Sequence, residues 1–262
     1  MPDVDATVAL LSDRPRETAI LVDYDGSLAP IVDRPQDAVP LPGAVDMLRA
    51  LVERVGFVGV VSGRPLYFLV EALPVPGLAY TGLYGLEFAL DGKREVDPRV
   101  LPYLTGVAEA AEAAESRLPG IAIERKAGIT VTLHYRHDES RREEVQAVAD
   151  ELAEQYGLDA PQRGRMAVEL RPPVPVDKGT VVDELVAGYA VAAFAGDDAG
   201  DLPAFDAIAQ AVEDDRLEHG VRIGVLSSEA PSELHDRVDT FVDGPEGLVA
   251  LLRSIAARAG AD

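Results

Sequence analysis

The chain has 262 residues and a formal net charge of −22, with 47% apolar and 27% charged residues. That composition supports a sizeable core, excludes global disorder, and makes nucleic acid and anionic membrane surfaces poor partners. The lack of cysteine excludes disulfides, thiolate catalysis and cysteine-based metal centres. The first residues show no basic start leading into a cleavable apolar stretch, and no apolar run approaches the ~20 residues of a membrane span. A cytoplasmic α/β protein is expected.

In chain order, short β-branched runs fall at 19–22, 57–61 and 78–80, and again at 191–194, 221–225 and 240–242. Each is apolar on both faces, as parallel strands covered on both sides are. Helical patterns at 43–55 and 181–185 separate several of them. The alternation predicts a doubly wound parallel sheet. Residues 98–170 break that pattern, between Asp97-Pro98 and the stiff Pro172-Pro173-Val174-Pro175. The spacing there predicts a helix over 103–118, strands over 121–125 and 130–136 around Gly128, a helix over 139–156 and a strand over 166–170. A smaller α+β cap, 98–170, is therefore expected inside a core made of 1–97 and 171–262.

The predicted core strands end in polar residues on one side. The first gives Asp23-Tyr24-Asp25-Gly26-Ser27, the second Ser62-Gly63-Arg64, and a later one Gly196-Asp197-Asp198 with Asp201 nearby. Open parallel sheets bind ligands at the carboxyl ends of their strands, so these groups can converge. Clustered carboxylates need a cation to stay ionised together, and hard oxygen ligands point to Mg²⁺. Asp-Gly alone also makes a plain strand-ending turn. Only three residues are lysine, and one of them, Lys178, opens a helix after the proline-rich hinge. An ammonium there could neutralise a carboxylate nucleophile and a phosphoryl group. Ser62 and Gly63 could offer a hydroxyl and a backbone N–H to a phosphate oxygen. In the cap, Glu124 and Lys126 alternate onto one face of a strand, as do His134 and Arg136 on the next. Such a face suits a polyhydroxylated anion, or is simply a solvated sheet surface.

The order Asp23-x-Asp25-Gly26-Ser27, Ser62-Gly63-Arg64, Lys178, Gly196-Asp197-Asp198 resembles the haloacid dehalogenase superfamily of phosphatases, and the insertion looks like that superfamily's type C2 cap. More narrowly, Gly82-x-x-Gly85-x-Glu87, Glu124-Arg125-Lys126, His134-Tyr135-Arg136 and Glu169-x-Arg171-Pro172 resemble the trehalose-6-phosphate phosphatase family. The resemblance implies a Rossmann-like core and Mg²⁺-dependent hydrolysis of trehalose 6-phosphate through an aspartyl-phosphate. It implies Asp23 as nucleophile, Asp25 as general acid and base, Ser62 and Lys178 on the phosphoryl oxygens, and Gly63 and Arg64 on the substrate. Asp23, the backbone carbonyl of Asp25 and Asp197 would hold the metal, with Asp198 and Asp201 supporting them from behind. Glu124, Lys126, His134, Arg136 and Glu169 would meet the sugar. The chain departs from the family pattern at Tyr84, Gly200 and Leu202, where His, Thr and Glu are usual. Sucrose phosphate and mannosyl-phosphoglycerate are the rival substrates. A receiver-like phospho-acceptor domain is the rival class, but it would have about half this length and no inserted cap. The expected partner is a small sugar phosphate, with neither nucleic acid nor membrane, and the expected assembly is a monomer or a weak homo-oligomer.

Overall fold

The computed structural model describes residues 4–32, 34, 37–164, 166–227 and 231–260. The chain divides into two compact units, Met1–Glu95 with Val176–Asp262, and Val96–Pro175.

In the first unit, α1 (Val4–Asp13) leads into β1 (Thr18–Val22), then α2 (Ala44–Arg54), β2 (Phe57–Val61), α3 (Leu66–Ala72) and β3 (Ala79–Gly82). A hairpin of β4 (Glu87–Leu90) and β5 (Lys93–Val96) follows. In the second unit come α4 (Leu104–Arg117), β6 (Ala122–Lys126), β7 (Thr130–His134), α5 (Arg142–Tyr156), β8 (Gln162–Arg163) and β9 (Ala167–Leu170). The chain returns to the first unit with α6 (Lys178–Leu185), β10 (Val191–Gly196), α7 (Leu202–Glu213), β11 (His219–Leu226), β12 (Thr240–Asp243) and α8 (Gly244–Ala259).

The main sheet has eight strands in the order β12-β11-β10-β1-β2-β3-β4-β5. Pairings from β12 through to β3 are parallel, and β4 joins β3 antiparallel. All five residues of β1 and all six of β10 are buried. One apolar cluster, including Ile20, Val22, Val58, Val60 and Leu252, covers one face of the sheet. Leu21, Phe194, Phe205 and Val182 belong to a second cluster, on the other face. The doubly wound α/β architecture is thus what the doubly apolar runs predict. The β4–β5 hairpin is additional. Asp91 and Gly92 turn it with φ of 50° and 77°, the pair of left-handed residues that a two-residue hairpin loop requires. All four residues of β5 are exposed, so no apolar alternation marks that strand in the sequence.

The second unit has a four-stranded antiparallel sheet in the order β6-β7-β9-β8. Val131, Leu133, Val168 and Leu170 pack with Val107, Ala110 and Ala114 of α4 and with Val145, Ala149 and Leu152 of α5. With a strand period of two, that leaves Glu124, Lys126, Thr130, Thr132, His134 and Glu169 to the opposite face. β7 ends at His134, two residues before the 130–136 expectation. Tyr135 N–H still bonds the carbonyl of Met166, but the chain then turns, with Asp138 N–H on the carbonyl of Tyr135. Arg136 therefore lies exposed in that turn rather than alternating with His134 on the sheet.

Candidate active site

Asp23 directly follows β1, and its N–H bonds the carbonyl of Ala195 at 2.8 Å, continuing the β1–β10 ladder by one residue. The chain then turns tightly, with Gly26 N–H on the carbonyl of Ala29. Gly26 has φ +79°, and a Cβ there would stand 2.1 Å from Asp197 Oδ2. Only glycine both adopts that backbone and admits the Asp197 carboxylate.

Lys178 is the first residue of α6, whose N-terminus is capped by Asp177 on Thr180 N–H at 2.8 Å. Its side chain is 4% exposed, and Nζ donates to Asp23 Oδ1 at 2.8 Å and Asp201 Oδ1 at 2.6 Å. The other Asp201 oxygen accepts the N–H groups of Asp197 and Asp198, at 2.9 and 3.1 Å. Both Asp201 oxygens are therefore committed, and that side chain anchors the lysine and the turn after β10. Asp198 accepts from Gly200 N–H and completes a capping box with Asp201.

Asp23, Asp197 and Asp201 present carboxylate oxygens within 4.8 Å of one another, all buried. Burial pushes the Asp23 carboxyl well above the usual carboxylate range; Lys178 opposes this, and Asp201 and Asp197 reinforce it. Burial, with Asp201 and Asp198 beside it, raises Asp197 to about 8. Burial alone would lower the Lys178 ammonium, but Asp201, Asp23 and Asp198 outweigh that and hold it well above its ordinary value. Asp197 Oδ1 is buried with no hydrogen-bond partner among the described residues, and Oδ2 takes only a 3.3 Å contact from Ser227. A buried carboxylate oxygen without a donor, beside a second carboxylate, fits a hard divalent cation.

Asp25 stands apart from that cluster. Its oxygens accept from Arg64 Nε at 2.7 Å and Nη2 at 2.6 Å, a bidentate pair. The guanidinium also lies over the Phe68 ring, 4.5 Å from its centroid, and Phe68 meets Tyr24 edge-on at 5.4 Å. Arg64, expected on the substrate, gives both of these nitrogens to Asp25. Ser62 N–H bonds the carbonyl of Thr81, and its hydroxyl accepts from Arg64 N–H at 3.2 Å. Thus β1, β2, β10 and the start of α6 bring Asp23, Asp25, Ser62, Arg64, Asp197, Asp201 and Lys178 to one edge of the sheet.

Within the second unit, the cap residues form two polar groups on the face opposite its helices. His134 Nε2 pairs with Glu124 Oε2 at 2.8 Å. Glu169 Oε1 accepts from Thr130 at 2.7 Å and from Lys126 at 3.3 Å. The register Glu124↔Thr132↔Glu169 joins the groups, and Thr132 Oγ1 is buried between them without a partner among the described residues.

The family model for trehalose-phosphatase matches residues 21–245, a span that takes in every residue of this edge and the whole cap sheet. The chain belongs to the trehalose-phosphatase family. It is 34% identical over 224 residues to the trehalose-phosphate phosphatase of Mycobacterium leprae, covering 79% of this chain and 52% of that protein. The chain thus spans about half the length of the curated relatives it matches. Among solved structures, one described as a trehalose-6-phosphate phosphatase related protein is 26% identical with a TM-score of 0.71, covering 91% of this chain and 97% of that one. A phosphatase of the haloalkanoate (HAD) superfamily from Bacteroides thetaiotaomicron shares the fold at 17% identity and a TM-score of 0.58, over 91% of this chain and 94% of the other. Among the described residues, no helix is long and apolar enough to cross a membrane.

Three features of this edge carry no motif of their own: Phe68 under Arg64, Ser227 beside Asp197, and the Arg64–Asp25 pair. Phe68 lies four residues beyond Arg64, at helical spacing. Ser227 follows β11, so the rule that ligands gather at carboxyl ends of strands also selects it. Nothing in the sequence marks the pair itself, which joins residues 39 positions apart.

Proposed function

We propose that this chain hydrolyses trehalose 6-phosphate to trehalose and phosphate through an aspartyl-phosphate on Asp23. The observation that carries the proposal is Lys178 Nζ between Asp23 and Asp201 in a buried carboxylate cluster. One oxygen of Asp23 is held by the ammonium, which leaves the other to attack phosphorus. As that bond forms, the bond from phosphorus to the sugar oxygen breaks, and Asp25 gives its proton to the leaving oxygen. Asp25 then takes a proton from water, which attacks the aspartyl-phosphate, releases phosphate and restores Asp23. Arg64 holds the Asp25 carboxylate in one orientation between these steps. Ser62, the Gly63 N–H and Lys178 hold the phosphoryl oxygens.

Mg²⁺ would be held by Asp23, the carbonyl of Asp25 and Asp197, with Asp198 and Asp201 fixing the turn that carries Asp197. Bound there, it supplies positive charge that balances the carboxylates and polarises the phosphoryl group. Sugar recognition falls to Glu124, Lys126, His134 and Glu169, with Arg136 in the adjoining turn. Their mixture of acceptors, a cation and an imidazole suits hydroxyl groups around an anion. A small sugar phosphate in the cytoplasm is the expected substrate, with a monomer or a weak homo-oligomer as the working unit.

The test is phosphate release from trehalose 6-phosphate, sucrose phosphate, mannosyl-phosphoglycerate and an aryl phosphate, each with Mg²⁺ and with excess chelator. Preferential, Mg²⁺-dependent release from trehalose 6-phosphate supports the proposal. Preference for another sugar phosphate overturns the substrate, and full activity in chelator overturns the metal. A stable phosphoprotein with no released product would indicate a phospho-acceptor domain instead.

A further inference from the structure

The segment after β3 holds an unusual conformation. Leu83 and Tyr84 both have positive φ, 49° and 59°, in succession. A non-glycine residue in the left-handed region costs on the order of 1 kcal/mol, and such cost persists only where surrounding contacts impose it. For Leu83 the compensation is visible: its side chain is fully buried and its N–H bonds the carbonyl of Arg64 at 3.0 Å. Tyr84 N–H likewise bonds the carbonyl of Ser62 at 3.0 Å, but its ring is only half-buried. Core burial therefore does not account for a tyrosine there.

The ring's placement offers a reason. Any Cβ at Gly63 would lie 2.5 Å from Tyr84 Cζ and 2.5 Å from its hydroxyl oxygen. The polar tip of the ring, rather than its body, covers Gly63. Gly63 itself has no positive φ, so its backbone conformation does not demand glycine; the phenol does. On its other side the loop meets α6, since Gly85 lies against Val181 and Val176. The strained turn thus fixes a phenol tip beside Ser62-Gly63, and braces it against the helix that carries Lys178.

We infer that Tyr84 is a phosphate-binding residue, its hydroxyl donating a hydrogen bond to the phosphoryl group seated on Ser62 and Gly63. The inference rests on the phosphatase reading above and adds a binding group to it. A neutral donor suits this position: it binds a phosphate dianion without competing as a cation for Asp23, Asp197 and Asp201. Because its partner is the phosphoryl group, its effect should be the same for every phosphate ester and for inorganic phosphate.

Tyr84→Phe removes only the hydroxyl. We expect KM for the sugar phosphate, KM for an aryl phosphate and Ki for inorganic phosphate each to rise by about tenfold or more, the worth of a hydrogen bond to a charged group. Turnover should stay within about twofold, since the bond forms in the ground state and persists in the transition state. An unchanged Tm excludes a merely structural effect. Unchanged phosphate inhibition overturns the inference, as does a rise in KM confined to the sugar phosphate, which would place the phenol on the sugar. If the unsubstituted protein neither hydrolyses any phosphate ester nor binds phosphate, the phosphatase reading falls as well. If it is active and Tyr84→Phe matches it, only this inference falls.

Discussion

Replacing Lys178 by methionine tests the centre of the site. Methionine keeps an unbranched apolar stem and removes the ammonium. In the structure that ammonium contacts Asp23 at 2.8 Å and Asp201 at 2.6 Å, and the three side chains are 4%, 6% and 0% exposed. Its loss leaves buried carboxylates without their cation, and removing one partner of such a pair costs about 3–5 kcal/mol. For a protein of this size each kcal/mol moves Tm by about 2–4 °C, so a fall of roughly 6–20 °C is expected. Turnover should fall by about 10²–10³, the usual effect of losing one charge-stabilising donor. The two losses can be separated. Adding Asp201→Asn to Lys178→Met removes one stranded charge while keeping an acceptor for the Asp197 and Asp198 N–H groups. The double variant should regain much of the lost Tm and none of the lost turnover. Thermal melts and phosphate-release rates in one buffer read both quantities. A single variant within about 2 °C of the parent would contradict the burial argument. One within about tenfold in rate would contradict the role of Lys178 at the phosphoryl group.

The remaining predictions concern the cap face and the sheet edge. Lys126→Ala or Glu124→Ala should lower kcat/KM for the preferred sugar phosphate by about tenfold or more, near 1.4 kcal/mol, and leave an aryl phosphate unaffected. Equal losses on both substrates would indicate a damaged fold, and no loss on either would make the face a solvated surface. Asp239 accepts from Arg222 N–H at 2.8 Å, Nε at 3.0 Å and Nη2 at 2.7 Å, with both side chains 26% exposed. Burial alone would raise its carboxyl, but the Arg222 hydrogen bonds and charge hold it below the usual range. A depressed carboxyl stabilises above its unfolded value of about 3.9 and loses that contribution as pH falls through its folded value. Asp239→Asn should therefore cost about 1.5–3 kcal/mol at pH 7, by thermal melting. The gap should close in strong acid, and a gap that does not change with pH would refute the pairing.

Legibility in the sequence followed what each element buries. Strands β1, β2 and β10 bury both faces, so their apolar runs stand out, and the acids that follow them mark the sheet's working edge. The exposed β5 buries nothing and left no pattern. Arg64 shows the limit of motif reading. Ser-Gly-Arg suggests a ligand contact, but not that two guanidinium nitrogens also bond Asp25 across 39 positions, a contact created by the β1–β2 pairing. Arg136 shows another. Strict alternation put it on the cap sheet, but β7 ends two residues earlier, where the chain turns after Tyr135. The left-handed pair Leu83–Tyr84 was invisible because neither residue type favours that region. The hydrogen bonds to the carbonyls of Arg64 and Ser62 and the burial of the Leu83 side chain support it.

The most direct test of the account is to trap the covalent intermediate. The protein is mixed with trehalose 6-phosphate and Mg²⁺, quenched in acid during turnover, digested, and the peptide carrying Asp23 and Asp25 analysed by mass spectrometry. One added phosphoryl group, located on Asp23, is expected, with neither adduct nor released phosphate from Asp23→Asn. A phosphoryl group on any other residue, or substantial phosphate release by Asp23→Asn, would contradict it.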